Sequence, residues 1–174
     1  ALLFAASALA GCTAAKEEKV AVDDRPLHSR MLVLDTHLDT SMHFEREGWS
    51  FADPHSLEND IVQVDIPRMK AGALDGGFFV IYTEQGALTP QGYADALAFA
   101  RARSDLIDAT IARHGDLIGP ATTAADAVRL DKQGKLIAFK SMENSYPLGE
   151  DVSLLKSFYD KGLRMAGPVH SKTN

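Results

Sequence analysis

The run Gly76-Gly77-Phe78-Phe79-Val80-Ile81-Tyr82 carries no charged residue and no polar side chain before its last position. A strand made from it has no face to offer water, so both of its faces must be covered. Three more stretches, mostly apolar but each with one charged residue, read as strands too, at 31–36, 136–142 and 163–169. The segments between them read as helices. Asp65 caps a short helix with Pro67 in its first turn and Gly72 near its end. Thr89-Pro90 opens a long one in which Tyr93, Leu97, Ala100, Ile107 and Ile111 return at helical spacing, ending near His114-Gly115. Thr123 with Asp126 has the form of a capping box for a third, closed by Gly134. Asp151 heads a fourth, with Leu154, Leu155, Phe158 and Tyr159 as its apolar face and Gly162 as its stop. Strands alternating with helices predict a parallel sheet with crossover helices. This reading gives four strands and no fifth.

The chain has 174 residues, 45% hydrophobic and 24% charged, which suits one globular domain with a real core. A net charge of -6 with no basic stripe argues against nucleic acid as a partner. Cys12 is the only cysteine, which excludes an internal disulfide and a thiolate metal cage. Residues 1–10 form an apolar, small-residue run too short to span a bilayer. The Leu9-Ala10-Gly11-Cys12 that ends it resembles the lipobox of bacterial lipoproteins. The expectation is a signal over 1–12 with lipidation at Cys12, a tether over 13–29 and a folded part over 30–174. Such a protein would be lipid-anchored in the bacterial cell envelope, on the extracytoplasmic side.

Each outer strand meets a polar or ionisable group where its apolar run gives out. The first leads to His37 and Asp39, two residues apart and so on one face if the strand continues; the third ends on Glu143 and the fourth on His170. Singly, each has a plain reading as a polar strand end, a solvated loop carboxylate or a hydrogen-bonded loop histidine. A parallel sheet brings such ends to one side, however, and imidazole with carboxylates suits zinc, one carboxylate being able to bridge two cations. The long polar connection over 41–64, holding His43, Trp49, Phe51 and His55, has the length of a segment that covers a site. His28, His43, His55 and His114 are given no role.

Asp35-Thr36-His37-Leu38-Asp39, the stretch from Val64-Asp65 through Ile66-Pro67-Arg68-Met69-Lys70-Ala71-Gly72 into Gly77-Phe78-Phe79, Met142-Glu143-Asn144, and Phe158-Tyr159-Asp160-Lys161-Gly162-Leu163-Arg164 leading to Val169-His170 resemble the membrane dipeptidase family. These zinc metallopeptidases are also called renal dipeptidases, and the likeness runs over 31–174. It implies an α/β fold, a (β/α)8 TIM-barrel metallo-dependent hydrolase of which about the first four βα units are present. It further implies two Zn2+ ions, with His37 and Asp39 on the first, Glu143 bridging both, and His170 contacting the substrate. Glu143 and His170 would be the catalytic residues of this part, and a hydroxide bridging the metals would attack the peptide bond of a dipeptide. A His-x-Asp pair, in place of the His-x-His of many related barrel hydrolases, favours this family. Asn144 stands where many members have Gly. The family's second-zinc histidines and remaining substrate-binding groups come from later strands, so the chain is expected to be a fragment with little activity alone. The implied partners are a dipeptide and, through the lipid, a membrane, with a homodimer left open. The alternatives are another metal-dependent amide or lactone hydrolase of the same barrel type and a non-catalytic ligand-binding lipoprotein.

Overall fold

A computed structural model of the chain describes residues 25–58 and 60–174. Cys12, its lipobox and all but the last five residues of the expected tether lie outside the described residues. The sheet is built on β2 (Gly76–Tyr82), which pairs in parallel with β1 (Leu34–Leu38) on one edge and with β4 (Leu136–Glu143) on the other. The far edge of β4 is shared. β3 (Ile118–Pro120) runs beside Leu136, Ile137 and Ala138, while β5 (Leu163–Ala166) runs beside Lys140, Ser141 and Met142, both again parallel. Their C-terminal ends therefore point to one side, as the alternation of strands and helices implies.

β3 corrects the expectation of four strands. Three residues, Ile118-Gly119-Pro120, are too few to show a period. Pro120, which has no N–H to give a ladder, is admissible because β3 lies at the edge. The first strand also begins later than its apolar run: Met31 and Leu32 are 48% and 41% exposed. The chain enters the sheet at Val33, whose N–H donates to the Asp75 carboxylate (2.7 Å) and whose carbonyl accepts from the Asp75 N–H (2.9 Å).

The helices start where their caps predict. In α1 (Ile66–Ala71) the Asp65 carboxylate accepts from the Arg68 N–H at 2.8 Å, and in α2 (Pro90–Arg113) the Thr89 hydroxyl accepts from the Gly92 N–H at 3.1 Å. Before α3 (Ala124–Lys132) the Thr123–Asp126 capping box is complete. The exception is α4 (Leu154–Asp160), which begins after Ser153; Asp151 instead accepts from the Ser153 N–H and hydroxyl, at 2.9 and 2.6 Å. Two turns of helix bring only Phe158 fully under the sheet. Leu155 and Tyr159, expected in the apolar face, are exposed.

Side chains of alternating parity divide the core. Leu38, Phe79, Ile81, Ala138 and Met142 pack with Ala100, Ile107 and Ile111 of α2 on the helix side. Ile137 and Phe139 form a second cluster on the opposite, inner face with Leu130, Leu34 and Phe78, the Phe78 and Phe139 rings stacking at 4.9 Å. β1 contributes to both clusters because it is bulged: Leu34 pairs with Gly76 and Asp35 with Gly77, yet Leu38 pairs with Phe79. Three residues there face a step of two, so parity reverses and Leu38 turns to the helices. The Asp35 carboxylate closes the bulge by accepting from the His37 N–H at 2.8 Å. A Cβ on Gly77 would stand 2.6 Å from Leu38 Cδ1 and 2.7 Å from the Asp35 carbonyl oxygen, so only glycine lets the bulge lean in.

The connection over 41–64 is packed, not loose. Phe44 and Phe51 are buried against Phe79, at ring separations of 6.0 and 5.6 Å. Asp60 accepts from both Nη atoms of Arg46, from Trp49 Nε1 (2.9 Å) and from the Val62 N–H (3.0 Å). The Arg46 guanidinium, and after it the Val62 N–H, hold the Asp60 carboxyl well below the usual carboxylate range.

Gly77→Ala is expected to cost about 1–3 kcal/mol as the bulge is forced open, read as a lower urea midpoint at unchanged slope. A folded-state pKa that is depressed means that Asp60 contributes its stability above the unfolded value of about 3.9, and that this is lost as pH falls below it. Asp60→Asn should therefore flatten the acid limb of the stability profile below about pH 4 while also lowering stability at neutral pH.

Candidate metal centre

Four ionisable groups meet at the C-terminal ends of the strands. Glu143 is the last residue of β4, beside Tyr82, the last of β2. The β1 bulge brings His37 to the inner face, the one that carries Glu143; without it, His37 would point to the helices. Asp39 opens a 3-10 turn, Asp39–His43, just past the strand. It is not a strand residue as the alternation supposed, yet its Oδ1 lies 3.3 Å from His37 Nε2. His170 stands four residues beyond the end of β5, where Gly167 N–H still bonds to the Met142 carbonyl at 2.8 Å.

Glu143 divides its two oxygens. Oε2 is 3.2 Å from His37 Nε2 and Oε1 is 3.5 Å from His170 Nε2. The donor atoms of His37, Asp39 and Glu143 all lie within 4.8 Å of one another. Donors about 2.0–2.2 Å from a tetrahedral zinc stand about 3.3–3.6 Å apart, and the two edges measured at His37, 3.3 and 3.2 Å, come close to the lower end of that range. One imidazole nitrogen facing two carboxylates can satisfy at most one of them by a proton, so the donor set suits a divalent cation. Glu143 is 21% exposed and the other three are about half exposed, so the centre opens to solvent.

The residue after Glu143 explains its own substitution. Asn144 has φ of 66°, the left-handed region that glycine adopts freely and asparagine tolerates, so Asn is a conservative stand-in for Gly there. It is buried, donates to the Thr83 carbonyl at 2.8 Å and accepts from Asn174 Nδ2 at 2.9 Å. These bonds fix the direction in which the chain leaves the glutamate.

Two neighbours went unassigned in the sequence. The Tyr82 ring stands edge-on to the His170 ring at 5.3 Å and 76°; its signal was a polar-headed residue closing an apolar run. His43 lines a cleft of about 310 Å³ together with Asp35, His37 and Asp39. Burial, and next the Arg46 charge, lower its pKa, which favours the neutral imidazole. The other histidines lie elsewhere: His28 Nε2 bonds to the Gly72 carbonyl at 3.0 Å, His55 stacks on Trp49 at 4.9 Å and His114 ends α2.

Imidazoles and carboxylates gathered where parallel strands end, with helices in the crossovers, stand where barrel folds carry their active sites. The model of the membrane dipeptidase family, peptidase family M19, matches residues 22–174, and the chain belongs to that family. The dipeptidase ataJ of Aspergillus terreus is 25% identical over 118 residues, covering 66% of this chain and 29% of its own length. Among solved structures, the probable dipeptidase PvdM from Pseudomonas aeruginosa superposes with a TM-score of 0.73 at 25% identity, over 84% of this chain and 36% of its own. The dipeptidase AC, a metallo peptidase of family M19, does so with a TM-score of 0.64 at 28% identity, over 80% of this chain and 43% of its own. The chain thus spans about a third of the length of these relatives. The parallel α/β sheet is the barrel-type fold of M19 dipeptidases, as the motif resemblance implies, and the family brings with it a metal cofactor. Among the described residues no helix is long and apolar enough to cross a membrane.

Asn144→Gly keeps the positive φ at ease but strands the Thr83 carbonyl and Asn174, and should cost about 1–2 kcal/mol in denaturant unfolding. Asn144→Val loses the same bonds and is also forced to a positive φ, so it should lose about 1–3 kcal/mol more.

Proposed function

We propose that this chain supplies the first-metal half of a zinc-dependent dipeptidase. The observation that carries this reading is the split of Glu143, one oxygen toward His37 and the other toward His170. His37 and Asp39 would hold the first zinc, and Glu143 would be the carboxylate shared with a second. Bound there, zinc would supply a nucleophilic water at neutral pH and polarise the scissile carbonyl. His170, on the far side of Glu143, donates from Nε2 to the carbonyl oxygen of the substrate as that oxygen gains charge. Its ring is steadied by the edge-on contact with Tyr82. The open mouth suits a small substrate, and the relatives named as dipeptidases support a dipeptide. Zinc is favoured over magnesium or calcium because a histidine nitrogen is central to the donor set. The lipobox-like Leu9-Ala10-Gly11-Cys12 supports lipidation at Cys12 and a place on the extracytoplasmic side of the bacterial envelope.

Glu143→Gln in the full-length protein is the decisive variant. Elemental analysis should show fewer than two zinc ions per chain, and kcat/KM for dipeptide hydrolysis should fall on the order of 100-fold or more. Two ions retained per chain would refute the bridging role.

A further inference from the structure

We infer that Arg103 is a positioning residue for this centre, setting from α2 the turn that carries Asp39. The inference rests on the reading of His37 and Asp39 as zinc ligands. Asp39 is about half exposed, so little packing holds its side chain, and its direction follows from how the turn behind it is held. A five-residue 3-10 turn has no stability of its own. Three elements hold it. Thr40 Oγ1 donates to the Val64 carbonyl at 2.8 Å, and Ser41 Oγ donates to the Val80 carbonyl on β2 at 2.6 Å. The third bond comes from outside the turn: Arg103 Nη1 donates to the Ser41 carbonyl at 3.0 Å. The Phe44 N–H reaches the same carbonyl at 3.4 Å, so the guanidinium is its better donor.

Arg103 is committed to this segment. Its side chain is 7% exposed, and its Nη2 donates to Glu45 Oε1 at 2.7 Å, so Ser41 and Glu45, its partners here, both lie within six residues of Asp39. A buried guanidinium is tolerated only when such bonds compensate its lost hydration, which ties its place to the 41–45 backbone. Lys140 provides the contrast. It is equally buried, but it bonds to Ser104 Oγ (3.1 Å) and Asp108 Oδ2 (2.8 Å), joining β4 to α2 without touching the 39–45 segment.

The test compares Arg103→Met, Arg103→Lys and Lys140→Met in the full-length protein, measuring zinc affinity by competition with a chromogenic chelator alongside the thermal midpoint. Arg103→Met should weaken zinc binding about 10–100-fold, with Arg103→Lys falling between it and the parent. Lys140→Met should lower the midpoint yet keep zinc affinity within about twofold. Arg103 variants that both bind zinc within about twofold of the parent would overturn the positioning role, as would an equal loss in Lys140→Met. Should Arg103→Met fail to fold, Arg103→Lys decides, since it keeps the charge and most of the volume. A parent protein that binds no zinc would overturn the metal reading itself, and that outcome is visible before any substitution is made.

Discussion

Everything at the ligand end of the sheet depends on the bulge in β1. An unbroken ladder would carry the parity of Leu34 through to Leu38, placing Leu38 on the inner face and His37 among the helices. One extra residue reverses this, so a single irregularity gives the helix-side core its Leu38 and the inner face its imidazole. The bulge needs two things at once: a carboxylate at Asp35 to take up the His37 N–H, and no side chain at Gly77. Its neighbour Gly76 is under a similar constraint from the other side, where a Cβ would stand 2.2 Å from the Ile137 carbonyl oxygen. The Gly76-Gly77 pair thus lets β2 sit tightly between β1 and β4, and so sets the spacing between His37 and Glu143.

How much of this could be read from the sequence follows the range of the forces involved. Helix starts were legible because a cap is a matter of three or four neighbouring residues: Asp65, Thr89 and Thr123 act where their spacing says. Glu143 was legible because it closes a strand that opens on the apolar run Leu136-Ile137-Ala138-Phe139 and is buried up to the glutamate. Alternation along a continuous strand would set His37 and Asp39 on one face, but a bulge and a 3-10 turn bring the two together instead. That geometry depends on a partner strand more than 35 residues away, which local periodicity does not register. β3 escaped for want of length, and the apolar face of α4 was read too wide because periodicity marks a possible face without saying that a neighbour covers it. Tyr82 was absorbed into the strand it terminates.

The two sides of the sheet are held by different means. At the N-terminal ends the bonds are chiefly backbone ones with a single carboxylate beside them: Asp75 N–H bonds to the Val33 carbonyl, Ile137 N–H to the Asp75 carbonyl, and the Asp75 carboxylate takes up the Val33 N–H. At the C-terminal ends the chain leaves the ladder in order to present side chains, and each departure is pinned by a buried polar group. Ser41 and Arg103 hold the turn after β1, Asn144 the exit from β4, and Asp60 with Asp65 the long connection that walls the cleft. Such groups stabilise only while every bond is made, because an unpaired one keeps the full cost of its desolvation.

That dependence makes the ligand side the less forgiving one. An apolar substitution within the helix-side core changes packing by degrees, and neighbours can close part of any gap. Removing one polar anchor beneath the centre leaves its partner stranded and loosens a short turn that its own two side-chain bonds must then hold. Where ligand edges must hold near 3.3 Å, a shift of a few tenths of an ångström in that turn already changes the donor set. The rigidity that the centre requires therefore comes less from the sheet than from a small number of buried ions and amides placed where the sheet ends.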